Sequence, residues 1–355
     1  MFTPPFCPRR RCSQHRAPSP KFFQRHGHYW PKCRAHPVPR FRCRSCRHTF
    51  SRQTFRADYH DKRPDLNARL VDLTTMGVGI RMCSRRLGLS LRCTELKLRK
   101  IGRHLRQLNL NLRFPVEREY QLQFDEMETF ETRRNTRPLS VPVLLDGPSR
   151  YCIWAESETI RPRGKMTKKR LEIIASEEQR LGIRKDRSRR AIKRTLDRGR
   201  KLVGSTTTIT LRSDEKRTYP GLAKAAFGKS RLTHLKTNSK VPRTPWNPLF
   251  PINHEDARLR DMSGRLRRQS WLVSKKRRFL DLALQMHMAV RNLVKTRFNH
   301  DRETPAELMG FVHRPLTIRE LLSWRQIWGD RSIHPLSPRG KSVESYQGAL
   351  QMAEE

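Results

Sequence analysis

Five of the eight cysteines in this 355-residue chain lie within its first 46 residues. Cys7 and Cys12 form a C-x4-C pair, and Cys43 and Cys46 form a C-x2-C pair. Two such pairs joined by a loop can place four thiolates tetrahedrally around Zn²⁺, and the neighbouring arginines favour the thiolate form. The spacing therefore predicts a structural four-cysteine zinc site, a zinc ribbon, with no open coordination position.

Other potential ligands lie between these two pairs. They are Cys33 and the histidines His26, His28, His36 and His48. The C-x4-C spacing is looser than the usual C-x2-C, so exchange of one ligand with Cys33 stays open, and the alternative is that Cys33 is an unliganded thiol. We interpret Cys83 and Cys93 as small core residues.

Acidic residues are scarce, with 33 Asp and Glu against 77 Lys and Arg, so their placement at strand ends is informative. The alternating segment 120–124 predicts a strand that ends at Asp125, and the β-branched segment 206–211 predicts another strand shortly before Asp214. Two such carboxylates and a third acid from a helix would bind two Mg²⁺ or Mn²⁺ ions. The simpler interpretation is a helix cap or a turn, and we apply it to Asp146, between two predicted strands at 139–145 and 151–155.

A helix-turn-helix is predicted between these two sites. Helical patterns cover about 66–74, 80–87 and 93–101, with a glycine-containing turn at Gly88 and Ser90 or Thr94 available as an N-cap. The last helix would enter the major groove of DNA. Its predicted contacts are Arg92, Lys97, Arg99 and Lys100. The alternative is a helical hairpin with a solvated basic face.

The net charge of +44 and the pI near 11.3 predict a polyanionic partner. Phosphate contacts would make the affinity strongly dependent on salt, and the zinc ribbon and helix-turn-helix favour double-stranded DNA. An unfolded basic tail or a ribosomal-type protein is the alternative. No segment has the roughly 18 consecutive apolar residues of a membrane span, and the first ten residues lack the apolar core of a signal peptide, so we expect a cytoplasmic protein with no membrane partner.

The order of these features resembles the transposases of the insertion-element-one family, from Cys7 to about Asn299. The resemblance implies an RNase H-like domain with an Asp-Asp-Glu metal triad. In that triad Asp125, in Phe-Asp-Glu, would be the first acid, and Asp214, in Ser-Asp-Glu-Lys-Arg-Thr-Tyr, the second. It also implies a bacterial, nucleoid-associated protein that binds element ends and target DNA as a homo-oligomer.

The third acid departs from the family pattern of Glu-x-x-Asn, then Leu-Arg, then Arg-Leu-x-Arg. Leu259-Arg260 and Arg265 to Arg268 match the later parts, which aligns the family Glu with Asn253 and the family Asn with Asp256. An exchange within one helical turn keeps an acid on the same face, which favours Asp256. Glu255 has the preferred side chain but points about 100° away on a helix, and Asp261 is a further option.

We therefore predict an α+β, multidomain chain. Its predicted parts are a zinc ribbon at 1–55, a helix-turn-helix at 60–112, an RNase H-like domain at 116–300 with a basic helical insertion at about 160–203, and a helical C-terminal extension at 301–355. The insertion is expected to contact the DNA backbone. A long helix is predicted over 271–297, and disorder from His334. The two functional hypotheses are a transposase and a non-catalytic zinc-dependent DNA-binding regulator.

Overall fold

The computed structural model describes residues 2–112, 119–204, 207–238 and 240–324, which divide into two units. Unit 1 contains the chain up to Asp72, Ile80–Leu112 and the residues from Leu316 onward. Unit 2 contains Leu73–Gly79 and Arg113–Pro315. The predicted disorder from His334 lies outside the described residues.

Unit 1 begins with a small three-stranded antiparallel sheet in the order β1-β2-β3. It follows the short helix α1 (Ser13–Arg16), and its strands are β1 (Phe23–Tyr29), β2 (Val38–Cys43) and β3 (Thr49–Ser51). The core beside it consists of cysteines and of the aromatic side chains Phe6, Phe22, Phe41, Phe50 and Phe55. So few apolar residues bury little surface, and small domains of this kind usually need a metal or disulfides.

Three helices follow in the order of the predicted helix-turn-helix. They are α2 (Asn67–Thr75), α3 (Ile80–Arg86) and α4 (Leu91–Asn111). Gly88, with a φ of +60°, allows the turn after α3. The Ser90 hydroxyl caps α4 by accepting a hydrogen bond from the backbone of Cys93. These observations confirm a helix, a glycine turn and a second, longer helix.

Unit 2 is built on a mixed sheet in the order β6-β5-β4-β8-β9, with β7 added beside β5. Its strands are β4 (Tyr120–Phe130), β5 (Pro138–Asp146), β6 (Cys152–Ala155), β7 (Glu158–Thr159), β8 (Ile209–Asp214) and β9 (Leu232–Thr237). β4 pairs antiparallel with β5 and parallel with β8, which in turn pairs parallel with β9. The central strand β4 is therefore paired along both edges.

Six helices connect or follow these strands. They are α5 (Lys168–Leu181), α6 (Ser188–Val203), α7 (Tyr219–Phe227), α8 (Phe250–Met262), α9 (Arg277–Leu293) and α10 (Pro305–Leu308). The last described helix, α11 (Ile318–Ser323), belongs to unit 1 and packs against α4. Helix α9 replaces the long helix predicted over 271–297, and Trp271 lies before it with 97% of its surface exposed.

Two predictions about unit 2 need correction. Strand β4 does not end at Asp125, because its pairing with β5 continues to Phe130 after the pairing with β8 has stopped at Gln123. The segment 160–203 is not wholly an insertion, because α6 packs on the sheet. A Cβ at Gly199 would lie 2.5 Å from Leu144 Cδ2, so glycine is required where this helix crosses β5. Helix α5, by contrast, buries none of its side chains.

Candidate metal centre and acidic site

The four predicted zinc ligands lie together in unit 1. Cys7 and Cys12 flank the turn before α1, Cys43 ends β2, and Cys46 lies in the turn that leads to β3. The Sγ atoms of Cys7 and Cys46 are 3.5 Å apart, those of Cys12 and Cys43 are 3.8 Å apart, and all four lie within 4.8 Å of one another. Tetrahedral Zn²⁺ with bonds of about 2.3 Å places its sulfurs about 3.8 Å apart. The four cysteines thus form a site that can bind a metal such as zinc.

The surroundings of the thiols favour a bound cation. Burial raises the pKa of Cys7 and of Cys12, because a thiolate in an apolar core loses its hydration. Burial acts in the same direction on Cys46, but hydrogen bonds from the His48 backbone and from the other three cysteines lower its pKa overall. A divalent cation among the sulfurs would compensate the buried thiolate charges.

The alternative ligands lie elsewhere in the described part of unit 1. Cys33 is exposed, and its thiol donates to the backbone carbonyl of Asp61 at 3.5 Å. The side chains of His26, His28, His36 and His48 are exposed. Among the described residues, the four cysteines are the only group of three or more His, Cys, Asp or Glu side chains close enough to share one ion. The choice of Cys7, Cys12, Cys43 and Cys46 over Cys33 is therefore supported.

In unit 2, Asp125 and Asp214 lie side by side on neighbouring parallel strands. Gln123 of β4 is opposite Arg212 of β8. Asp125 lies two residues after Gln123, and Asp214 lies two residues after Arg212, so both acids project from the same face of the sheet. The Asp125 carboxylate accepts a hydrogen bond from the Glu126 backbone at 2.7 Å, and the Asp214 carboxylate accepts one from the Lys216 backbone at 3.1 Å. Burial and then repulsion from Asp214 raise the pKa of Asp125.

The third acid is positioned by a contact between β4 and α8. The Gln123 side chain accepts a hydrogen bond from the Ile252 backbone at 3.1 Å and donates one to the Pro248 carbonyl at 3.0 Å. This fixes the first turn of α8 against the strand that carries Asp125. Asp256, one turn further along, is 8% exposed, and its Oδ1 has no hydrogen-bond partner among the described residues. Burial and then repulsion from Asp125 raise the pKa of Asp256.

Glu255, the neighbouring candidate, has a different environment. Its two carboxylate oxygens accept hydrogen bonds of 2.7 and 2.9 Å from the Arg291 guanidinium of α9, and Arg258 lies 3.7 Å away. The two arginines hold the pKa of Glu255 below its ordinary value in spite of its burial. Glu255 is therefore a buried ion-pair partner and not a member of the acidic site. Asp261, the further option, is exposed near the end of α8.

Asp125, Asp214 and Asp256 provide a donor set that fits a hard divalent cation. Carboxylate oxygens are the ligands preferred by Mg²⁺ and Mn²⁺, and the unpartnered Oδ1 of Asp256 is buried in the group. Repulsion from Asp214 contributes to the raised pKa of Asp125, and repulsion from Asp125 contributes to that of Asp256, in each case after the larger effect of burial. Among the described residues, these three carboxylates do not form a group as close as the four sulfurs of unit 1. A bound cation would reduce the repulsion between neighbouring carboxylates.

A second group of side chains adjoins this site, and the sequence interpretation missed it. A cavity of about 250 Å³ is lined by residues that include Asp125, Asp214 and Glu126. Glu126 accepts hydrogen bonds from the Tyr219 hydroxyl at 2.8 Å and from the Ser140 hydroxyl at 2.6 Å, and it also pairs with the Lys216 ammonium. Lys216 and Tyr219 follow Asp214 by two and five residues, so the motif contained a signal for both.

Asp146 is confirmed as a turn residue. Its side chain accepts hydrogen bonds from the backbone and hydroxyl of Ser149, at 3.1 and 2.5 Å, in the turn between β5 and β6.

The predicted DNA contacts of α4 separate into two groups. Arg92 is exposed and Arg99 half-buried. Lys97 is 3% exposed, and its ammonium donates to the side chain of Asn67 at 2.9 Å and lies 3.2 Å from Asp61. Lys100 also pairs with Asp61, at 2.6 Å. The burial of Lys97 contradicts its predicted contact with DNA, because α4 uses this lysine to hold the segment that precedes α2.

No protein-family model matches the chain, and no curated protein matches it significantly in sequence. In the described part of the chain, no helix has the length and apolar character to cross a membrane.

Proposed function

We propose that the protein is a DNA transposase whose acidic site cuts DNA and joins the cut end to a target with the aid of Mg²⁺ or Mn²⁺. The observation that carries the proposal is geometric: Asp125 and Asp214 lie at corresponding positions of neighbouring strands and line one cavity, and α8, which carries Asp256, is anchored through Gln123 to the strand of Asp125. These residues come from three elements that are far apart in the chain. The strand order β6-β5-β4-β8-β9 is compatible with the RNase H-like domain that the family resemblance implies.

Unit 1 supports a DNA partner in two ways. It contains a four-cysteine site suited to Zn²⁺, and it contains two helices, α3 and α4, joined by a glycine turn. A helix that follows such a turn can enter the major groove, and the exposed Arg92 lies near the N-terminus of α4. With a net charge of +44, contacts to phosphate would contribute much of the affinity.

The chemistry assigned to unit 2 needs no covalent protein intermediate. Bound divalent ions would supply Lewis acidity and lower the pKa of the attacking water or of the 3′-hydroxyl. Asp125, Asp214 and Asp256 would hold those ions, and no serine or tyrosine nucleophile is assigned. Lys216, two residues after Asp214 and paired with Glu126, would exchange that partner for a phosphate oxygen of the DNA. Joining two element ends would require a homo-oligomer on DNA.

The test is strand cleavage and transfer by the full-length, zinc-loaded protein with Mg²⁺ on DNA that carries the element ends. Asp125→Asn, Asp214→Asn and Asp256→Asn should each abolish both steps while DNA binding remains. Asp261→Asn is the matched control, because it removes a carboxylate from the exposed side of the same helix as Asp256, and it should remain active. Full activity of Asp125→Asn would refute the site. Loss of activity in Asp261→Asn with an active Asp256→Asn would refute the choice of the third acid.

The second candidate function is a zinc-dependent DNA-binding regulator without catalysis. The regulator is favoured by the spacing of Asp125, Asp214 and Asp256, because these carboxylates, unlike the four cysteines, do not form a group close enough to share one ion. The discriminating measurement is the binding of Mn²⁺ to the acidic site together with nicking of bound DNA. A protein that binds DNA but neither binds Mn²⁺ at Asp125 nor nicks the DNA would be the regulator.

A further inference from the structure

The segment between β9 and α8 presents an exposed tryptophan close to the acidic site. Trp246 is 92% exposed, whereas tryptophan side chains are usually largely buried. The loop is anchored beside Asp125, because the carbonyl of Pro248, two residues after Trp246, accepts a hydrogen bond at 3.0 Å from the side chain of Gln123, two residues before Asp125 on β4. The loop that carries Trp246 therefore borders the carboxylates to which we assign the chemistry.

This loop has a fixed conformation. Asn247 is 7% exposed, and its side-chain amide donates to the carbonyl of Pro242 at 2.8 Å and to that of Val241 at 3.3 Å. Its side-chain oxygen accepts a hydrogen bond from the Leu249 backbone at 2.8 Å. Prolines on both sides of the Trp246-Asn247 pair further restrict the backbone. The backbone that carries the exposed indole is thus held in place before any partner arrives, so little backbone entropy is lost on binding.

The charge around Trp246 identifies the partner. From Lys216 to His254 the chain contains eight Lys or Arg residues and no Asp or Glu. An exposed aromatic side chain in a basic segment without acids is the combination that binds single-stranded nucleic acid, in which a base stacks on the ring while cations neutralise the backbone. The faces of bases inside a duplex are already covered by their neighbours, so only an unpaired base is available to such a ring.

We propose that Trp246 is a stacking platform for an unpaired base at the end of the DNA strand that is processed beside Asp125. The proposal rests on the proposed function for the position of that strand end. Arg243 would bind the phosphate next to the stacked base, between Trp246 and the acids. Stacking would keep the strand end from returning to the duplex, and so would hold its terminal phosphodiester at the carboxylates.

The test measures binding of the full-length, zinc-loaded protein to two probes, without added Mg²⁺. One is a blunt duplex, and the other is the same duplex with a four-nucleotide unpaired extension, prepared separately on the 3′ and on the 5′ strand. Trp246→Ala should weaken binding to an extended duplex by about 10- to 100-fold, the range expected for one stacked base, and should leave blunt-duplex affinity unchanged. Trp246→Phe, which keeps an aromatic face, should lose less.

The matched control is Trp271→Ala, which removes a tryptophan that is equally exposed, at 97%, but lies on the other side of α8 in the sequence. It should bind both probes like the native protein. Three outcomes would each overturn the proposal. Trp246→Ala and Trp271→Ala could lose equal affinity, or Trp246→Ala could lose equal affinity for the blunt and the extended probes. In the third outcome, Trp246→Ala would bind both the 3′ and the 5′ extensions with unchanged affinity.

The dependence of affinity on salt separates stacking from phosphate binding. Trp246→Ala should leave the slope of log affinity against log salt unchanged, because an indole neutralises no phosphate. Arg243→Gln should reduce that slope by about 0.7 on the unpaired extension. If Asp125→Asn still cuts DNA but Trp246→Ala behaves as expected, the proposed chemistry fails and the stacking platform stands. The reverse result would overturn the stacking platform alone.

Discussion

Two adjacent acids in α8 show how position decides the role of a residue. Glu255 and Asp256 point about 100° apart on the helix. Glu255 faces α9, where Arg291, itself 2% exposed, binds both of its oxygens. Asp256 faces Asp125 and has an unpartnered oxygen. Glu255 therefore stabilises the fold, whereas Asp256 is available to a cation.

Neutralising these two acids should have opposite effects on stability. Glu255→Gln should lower the free energy of unfolding by about 3–5 kcal/mol, because it leaves the buried Arg291 charge without a counter-ion. Asp256→Asn should leave that free energy unchanged or raise it, because it removes a buried and repelled carboxylate. Urea unfolding without divalent cations measures both. A larger loss for Asp256→Asn than for Glu255→Gln would show that the two roles have been exchanged.

The raised pKa of Asp256 also predicts how stability depends on pH. In the unfolded chain Asp256 releases its proton near the ordinary aspartate pKa of about 3.9. In the folded protein it keeps the proton at pH values above that, because its pKa is raised. The folded state then binds more protons, so stability falls as pH rises from that value to the folded pKa. The stability gained by Asp256→Asn over the native protein should grow as pH rises above the ordinary aspartate pKa of about 3.9 toward the raised pKa of the folded protein. Acids that do not interact with Asp256 contribute equally to both proteins, so parallel stability curves would contradict the prediction.

At the scale of elements, the sequence predicted most helices and strands but not their long-range contacts. Hydrophobic alternation located the first part of β4, and the predicted N-cap at Ser90 located the start of α4. The continuation of β4 past Asp125 was missed, because the apolar alternation of residues 120–124 is interrupted by two consecutive acids, Asp125 and Glu126. Glu126 is accommodated there by Ser140, Tyr219 and Lys216, which come from other elements.

The third acid was equally dependent on distant contacts. The motif spacing favoured Asp256, but Glu255 and Asp261 remained alternatives. The orientation of α8 depends on hydrogen bonds between Gln123 and residues more than 120 positions later in the chain. Local patterns contain no information on such a contact. The same reason explains the error at Lys97, a basic residue on a basic helix whose buried partners, Asp61 and Asn67, precede it by 36 and 30 residues.

Helix α4 therefore carries an exposed arginine, to which the proposed function assigns a DNA contact, and a buried lysine that stabilises the fold. Arg92→Ala should weaken DNA binding and reduce the salt slope by about 0.9, the share of one phosphate contact, with no change in melting temperature. Lys97→Ala should lower the melting temperature, because it removes one of the two lysines paired with Asp61 and opens a cavity. Salt titrations of affinity and thermal melting measure these effects. Loss of DNA binding by a fully stable Lys97→Ala would contradict the assignment.

The cysteine pairs make a prediction about the sheet β1-β2-β3. Replacing Cys43 or Cys46 by Ser should release one equivalent of zinc and unfold the aromatic core around Phe41 and Phe50, because that core is too small to fold without a metal. Cys33→Ser is the matched control and should keep the zinc, since its exposed thiol lies outside the cluster. Zinc content and limited proteolysis measure the result. Loss of zinc in Cys33→Ser would indicate that Cys33 is a ligand.

At the scale of the whole molecule, the few acids serve mainly as partners for the many cations. Glu131, Glu158 and Asp58, for example, each pair with two arginines or more. Among the described residues, Asp125, Asp214 and Asp256 form no direct ion pair, although Lys and Arg outnumber acids by 77 to 33. The burial of Asp125 and Asp256 without an ion pair, in a protein with this excess of cations, supports the proposal that the acidic site binds a divalent cation.

The proposed function assigns exposed basic side chains to contacts with DNA, and α6 presents some of them. Its inner face is buried on the sheet, while Arg189 and Arg190 are exposed at its N-terminal end. Lys193, also exposed, pairs with Asp197 at 2.9 Å. Changing Arg189 and Arg190 together to Gln should reduce the salt slope of duplex binding by about 1.8, or 0.9 for each phosphate contact. The double change to Lys keeps both charges and should keep the slope. An unchanged slope in the Gln variant would mean that this face does not contact DNA, whereas equal losses in both variants would mean that arginine geometry, not charge, is recognised.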